Sequence, residues 1–334
     1  MKSFILILIA YLLGTVTYAQ YAPQATVSGS TAVSKNSGQF AGWAKGCTIQ
    51  RGLMDIADPS KGFVTAGDSS FAVGAPDNSI VSLGDSGIAT LTFDAPLYDG
   101  PGYDFAVFEN GFANPSNPEE AFLELAFVEV SSDGRTFFRF PATSLTPDTF
   151  QIPVAGVYMN ARYLNNLAGK YIGGYGTPFD LNELENISGL DINNITHIRL
   201  IDVIGSVGAH ATYDKDGRKI NDPYPSQIPT GGFDLDAVGA INMQGRFPTV
   251  VNTALQHPTV SVFPNPVTDI LFVTNAKGED LNIKITDITG KLMAQYAGND
   301  ERIAINAEQY ANGIYFISLQ NAKGEQWVEK VVKQ

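Results

Sequence analysis

From about Tyr21 to Pro248 the chain alternates between short apolar-patterned runs and clusters of Gly, Asn, Asp and Pro. In residues 86–96, SGIATLTFDAP, Ile88, Thr90 and Thr92 fall on one face and Ala89, Leu91 and Phe93 on the other, the period of two expected of a half-buried strand. Residues 103–112, YDFAVFENGF, are apolar on both faces, which suits a strand enclosed within a sandwich. Residues 121–141 form two strand patterns around Ser132-Asp133-Gly134, and Asp-Gly is a strong hairpin signal. Residues 196–205 and 232–242 supply further strands, whereas only LNELENISGL, residues 181–190, reads as one or two helical turns. Many short strands joined by turn residues predict an all-β fold, a jelly-roll-like antiparallel sandwich over residues 20–248.

A second unit follows a loosely patterned linker, residues 249–259. It opens with VSVFPNPVTDILFV, residues 260–273, in which Pro264 and Pro266 interrupt a strand pattern. Proline cannot donate a ladder hydrogen bond, so it marks a strand start, an edge or a bulge. Alternation then runs through LNIKITDITGKL (281–292), GIYFISLQ (313–320) and QWVEKVVK (326–333). Six or seven short strands in this span fit a small Ig-like β-sandwich.

The first nineteen residues, MKSFILILIAYLLGTVTYA, have the layout of a secretory signal peptide. Lys2 gives the positive start, Phe4 to Leu13 a short apolar core, and Thr17-Tyr18-Ala19 a small-residue cleavage pattern. No later segment has the length and apolarity of a transmembrane segment. The protein is therefore expected to be exported and soluble. Cys47 is the only cysteine, so no disulfide forms within the chain, and AKGCTIQRG offers no histidine to activate a thiol.

Charge narrows the choice of partners. The 334 residues carry 34 acids against 21 Lys and Arg, for a net charge of −13, of which −12 lies in residues 20–258. Clustered cations are absent, which argues against nucleic acid as a partner.

The order FPNP, Asp269, IKITDITGK, GIYFISL and a terminal KVVK resembles the type A C-terminal sorting domain of the type IX secretion system of Bacteroidota. The resemblance covers residues 260–334. On the residue chemistry, Asn265 between the prolines favours a turn, Gly290 closes another, and Gly313 admits the chain to a strand. The resemblance implies that Pro264, Asn265, Pro266, Asp269, Gly290, Gly313 and Lys330 form the sorting motif, with the type IX translocon as the partner. It also implies a secreted protein at the cell surface, outside the outer membrane, after signal-peptide export.

The first unit is less explicit about its task. Gly84-Asp85-Ser86-Gly87 spells a serine-protease tetrapeptide, but His197, His210 and His257 all follow it in unsuited settings, so it reads as a turn. Gly173-Gly174-Tyr175-Gly176 lacks the Lys and Ser/Thr of a phosphate loop. Carboxylates remain. The polar loop YDKDGRKINDPYP holds Asp214, Asp216 and Asp222; Asp234 and Asp236 alternate on one strand face; Asp99, Asp104, Glu109 and Asn110 lie nearby in sequence. Hard oxygen ligands of this kind suit calcium, expected among Asp104, Glu109, Asp214, Asp216, Asp222, Asp234 and Asp236.

FVEVSSDGRTFFRFP resembles the hairpin of galactose-binding-like jelly rolls, and the longer set DGPGYDFAVFENGF, AFVEVSSDG, YDKDGRKINDPYP and GGFDLDAVGAIN is similar to uncharacterised bacterial cell-surface proteins. A carbohydrate-binding module would use exposed aromatics as stacking platforms, with Trp43, Tyr103, Tyr171, Tyr175, Tyr213 and Tyr224 as candidates for a glycan or other small-molecule ligand. The alternatives are a polysaccharide hydrolase or lyase, for which no diagnostic carboxylate spacing appears, and a nutrient-capture protein serving an outer-membrane transporter. The binding module is preferred, with no catalytic residue assigned.

Overall fold

The computed structural model describes residues 21–245, 260–275, 278, 280–288, 291–321 and 326–334. The expected signal peptide 1–19, the expected linker 249–259 and Gly290 of the expected sorting motif lie outside the described residues. The chain divides near residue 250 into two compact units.

The first unit is built on two six-stranded sheets. One runs Val33–Ser34, Tyr175–Phe179, Phe105–Glu109, Asp234–Ala240, Gly42–Trp43, with Val81–Ser82 also paired to Asp234–Ala240. The other runs Phe138–Arg139, Ala126–Ser131, Ile195–Asp202, Ile88–Leu97, Gly46–Gln50, with Leu167–Ala168 added at Ala126–Ser131. The pairings within both sheets are antiparallel. Val107, Leu235 and Val238 of the first sheet share one buried cluster with Leu91, Val128 and Leu200 of the second, so the sheets form a sandwich. Three rings lock it: Phe105 stacks on Phe179 at 5.2 Å, and Phe140 meets them at 5.9 and 5.1 Å.

Central strands of the first sheet are covered on both sides, which explains their continuous apolarity. Phe105–Glu109 and Asp234–Ala240 are buried at every position. Their outer face packs Ala106, Phe108 and Ala237 against Phe40 and Trp43. Alternation in Asp234–Ala240 breaks at a bulge between Leu235 and Ala237, so the expectation that Asp234 and Asp236 share simple strand alternation does not hold there.

Local turn chemistry behaves as its residue types require. Asp133 accepts the N–H groups of Arg135 and Thr136, both at 2.8 Å, and these bonds hold its carboxyl down at about 2. The Ala126–Ser131 and Phe138–Arg139 strands pair across that turn. Gly84-Asp85-Ser86-Gly87 is a turn closed by Gly87 N donating to Gly84 O at 2.7 Å, immediately before the strand Ile88–Leu97. The helical pattern of residues 181–190 condenses to one 3-10 turn, Leu181–Leu184, capped by Asp180.

The second unit is a smaller sandwich. Val260–Phe263, Ile270–Asn275 and Arg302–Asn306 make one sheet; Leu292–Gly298, Leu281–Asp287, Gly313–Asn321 and Gln326–Lys333 make the other, in that order. Leu271, Val273 and Ile305 meet Leu281, Ile283, Ile285, Ile317 and Leu319 in one core. In Ile270–Asn275, Leu281–Asp287 and Gly313–Asn321 the buried residues fall two apart, the period that burial of a single sheet face imposes.

Candidate functional site

Two adjoining cavities open on the first unit. The larger, about 400 Å³, is lined by Ser30, Thr31, Ser34, Asn36, Gln39 and Tyr103, among others. The smaller, about 70 Å³, shares Thr31 and Tyr103 with it and adds Asn165, Asn166, Lys170, Tyr171, Thr177 and Glu183. Tyr171 is buried, with its hydroxyl 2.8 Å from Thr31 Oγ1, whereas Tyr103 is 38% exposed at the junction. The walls thus offer hydroxyls, amides and one accessible aromatic face.

Tyr103 sits on a loop bracketed by acids. Asp99, Asp104 and Asp180 each bring an oxygen within 4.8 Å of the others'. Asp104 is fully buried and accepts Gly100 N at 2.8 Å, Leu181 N at 2.7 Å and Asn242 Nδ2 at 2.7 Å. Three donors favour the charged form, yet burial outweighs them, and with the nearby Asp99 lifts the carboxyl to about 6. The buried Asp99 Oδ1 has no hydrogen-bond partner among the described residues. Among the described residues this is the one trio of metal-ligating side chains so closely gathered.

A second group of acids lies between strands. Burial pushes Glu109, Glu124, Asp202 and Asp222 well above the carboxylate range, and each repels others of the set. Most have donors. Gly111 N reaches Glu109 at 2.7 Å, Phe233 N reaches Asp202 at 2.7 Å, and Leu125 N reaches Asp222 at 2.7 Å. Asp234 accepts Ser82 Oγ at 2.5 Å and Asn110 Nδ2 at 3.0 Å. Glu124 is the exception: 8% exposed, it has no hydrogen bond or ion pair among the described residues. The contrast is Glu129, five residues on, whose carboxylate is held by Arg139 at 2.9 Å and Arg199 Nε at 2.7 Å.

The other sequence candidates separate. Asp236 takes the backbone N–H groups of Asp77 and Asn78, at 3.1 and 3.3 Å, as a loop anchor. Asp214 is buried and neutralised by Arg218 at 2.9 Å, and exposed Asp216 pairs with Lys215 at 2.9 Å and with Arg218. The polar loop therefore answers its own charge. Trp43 packs 4.4 Å from Phe40 and 5.6 Å from Phe108, completing the outer face of the sheet. Tyr175 is half-buried beside Tyr171. The Tyr224 hydroxyl donates to Asp55 at 3.1 Å, and burial pushes it up to about 12. Tyr213 is exposed and lines neither cavity.

Sequence reasoning passes over Lys170, Glu124, Asp180 and Asp202. Two left a signal: Glu124 in FLELAFV and Asp202 in LIDVIG are single charges within apolar runs, positions that burial makes costly.

In the second unit the proline-flanked Asn265 joins the opening stretch to the last strand. Its Nδ2 donates to Lys330 O at 2.6 Å and its Oδ1 accepts Val332 N at 2.9 Å. Val267 N donates to Val332 O at 2.8 Å, and Gln334 N to Val267 O at 3.0 Å. Asp269 contributes its carbonyl to Ala307 N, and Gly313 begins a strand opposite Lys333. Pro264 and Pro266 flank the clamp, and the Lys330 side chain is exposed.

Comparison with known proteins adds a family for this unit. No curated protein matches the chain. Among solved structures, an immunoglobulin-like β-sandwich protein from Bacteroides vulgatus is 19% identical with a TM-score of 0.21, over 22% of this chain and 84% of that one. PorZ, a bacterial surface component of the type IX secretion system of Porphyromonas gingivalis, is 12% identical with a TM-score of 0.22, over 81% and 47%. A β-glucuronidase from Ruminococcus gnavus is 9% identical with a TM-score of 0.22, over 87% and 43%. The chain spans less than half the length of the last two, and likenesses this faint carry no functional weight. No helix among the described residues is long and apolar enough to cross a membrane. Residues 261–334 match the family of secretion system C-terminal sorting domains, so this chain carries a type IX sorting domain and is an exported cell-surface protein.

Proposed function

We propose that the first unit is a calcium-stabilised binding module that takes a glycan or similarly polar small ligand in the cavity beside Tyr103. The observation that carries this reading is the cavity itself. Hydroxyl and amide side chains surround a space of about 400 Å³, and an accessible tyrosine ring stands at its inner end. Sugars ask for this mixture, since their rings present C–H faces to aromatics and hydroxyls to polar groups. Calcium is assigned to Asp99, Asp104 and Asp180, whose oxygens converge and are hard ligands. Further ligands would come from carbonyls or water. An ion there would fix residues 99–104 and with them the position of Tyr103.

The test is a glycan array probed with the mature protein in calcium, followed by titration of the best ligand. Tyr103→Ala should weaken binding by about tenfold, ~1.4 kcal/mol, while Tyr213→Ala should leave it unchanged. Wild-type affinity in Tyr103→Ala would reject the cavity. An identical melting midpoint in calcium and in EDTA would reject the metal, because an ion bound only by the folded state must raise stability. Turnover of a bound polysaccharide, abolished by a carboxylate-to-amide change, would move the protein to the enzyme class.

A further inference from the structure

The inner cavity contains a feature that a site for neutral sugars does not require. Gly169 has φ +81, and a Cβ there would stand 1.9 Å from Glu124 O. The chain therefore turns sharply out of the strand Leu167–Ala168 and carries Lys170 into the wall of the cavity. Lys170 is 4% exposed. Its ammonium has no ion pair or hydrogen bond among the described residues. The charge that acts on it is Arg162, another cation, and Arg162 is already held by Glu119 at 2.9 and 3.2 Å. The Tyr171 and Tyr21 rings lie 5.3 and 5.9 Å from Nζ, close enough to soften the charge but unable to accept its protons as an anion would.

A second donor on the same wall is also idle. Thr177 Oγ1 is buried without a hydrogen-bond partner among the described residues. Glu183 lies across the cavity, but its carboxylate takes Asn166 Nδ2 at 2.5 Å rather than Lys170. Buried donors are ordinarily satisfied, and buried charges are ordinarily paired. Lys170 and Thr177 both line one space of about 70 Å³, and an ammonium without an ion pair in that wall suits an anionic group. That space is about twice the volume of a water molecule, the scale of a carboxylate group.

We propose that the inner cavity receives the carboxylate of an acidic sugar of the uronic acid class, with Lys170 and Thr177 donating to it and the sugar ring lying in the outer cavity against Tyr103. This rests on the reading of the outer cavity as the ligand site and adds the class of ligand. It also sets a pH dependence. Burial and the nearby Arg162 push the Lys170 ammonium down to about 7; the other titratable groups around it among the described residues are Tyr21, Tyr103, Tyr171 and Glu183. A carboxylate ligand needs the charged amine, so its affinity falls as pH rises from 6 to 8, whereas a neutral sugar is indifferent over that range.

The experiment is isothermal titration of the full mature chain, in calcium, with glucuronate and galacturonate, with their methyl esters, and with glucose and galactose. Each acid should bind at least about tenfold tighter than its ester. Lys170→Met should erase that preference and leave neutral-sugar affinity within about twofold. Thr177→Val, which keeps the side-chain shape, should reduce the preference by about threefold even if Lys170→Met proves poorly folded. Equal binding of acid and ester by the wild type, or a preference that survives Lys170→Met, overturns the carboxylate site while leaving a sugar site standing. Absence of binding by every sugar overturns both.

Discussion

Asp104 permits a quantitative test of how the first unit handles its buried charge. Its carboxyl sits at about 6 in the folded protein, against ~3.9 for an unperturbed aspartate, a difference of ~2 units or ~3 kcal/mol. Because the folded value is the raised one, this contribution is present in full below pH ~3.9 and is lost as pH rises through about 6. About 2 kcal/mol of the loss falls between pH 4.5 and 7.5. Asp104→Asn keeps the shape but cannot titrate, so comparison with wild type isolates the effect from the other acids. Urea unfolding of both proteins in EDTA at several pH values is the assay. The variant should gain ~2 kcal/mol on wild type across that range. A gap that stays constant with pH would refute the reasoning, since it would mean that burial does not outweigh the three donors. If calcium binds Asp99, Asp104 and Asp180 as proposed, saturating calcium should remove the pH-dependent part in wild type, because the cation would hold the carboxylate ionised.

Other outcomes follow from single contacts. Glu124→Gln should stabilise the protein in EDTA by about 1–3 kcal/mol at pH 7.5, by removing the cost of burying an ionisable carboxyl that must either take up a proton or stay charged without a partner. Its carboxyl is raised in the fold, so the gain should shrink toward pH 4 in the same urea titration, and a loss of stability at pH 7.5 would reject it. Gly169→Ala should cost more than ~3 kcal/mol or prevent folding, since the added Cβ collides with the Glu124 carbonyl and the backbone is left-handed; expression and circular dichroism decide this. Asn265→Ala should lower the stability of the sorting unit by ~1–2 kcal/mol through two lost hydrogen bonds, read from its own unfolding transition. Deleting residues 260–334 should leave the remainder inside the cell, as scored by fractionation and by protection from added protease.

The fold was legible where the instructions are local. Asp133 and Gly134 carry the turn chemistry of the hairpin within four residues, and the buried strand Phe105–Glu109 announces itself by apolarity on both faces. The sorting unit was legible because its motifs keep their order along one short span. The candidate site was read in part. Tyr103 and Asp104 stand out in DGPGYDF, but their companions Asp180, Lys170 and Thr177 arrive from around the neighbouring strand Tyr175–Phe179, and no periodicity links them. Asp214 and Asp216 invited a calcium reading because spacing shows the oxygens and not the Arg218 and Lys215 side chains that fold back onto them. Asp234 and Asp236 were separated by a bulge that shifts register between two ladder pairs, a feature the alternation of polar and apolar letters does not encode.

The clamp of Asn265 onto the backbone at Lys330 and Val332 ties the beginning of the sorting unit to residues synthesised nearly seventy positions later. A polypeptide cut short by a premature stop, or trimmed by a protease before Lys330, has no strand for Asn265 to grip and cannot close the address. The same contact would then act as a check on integrity, so that only molecules translated through to their final strand present a finished passport at the outer membrane.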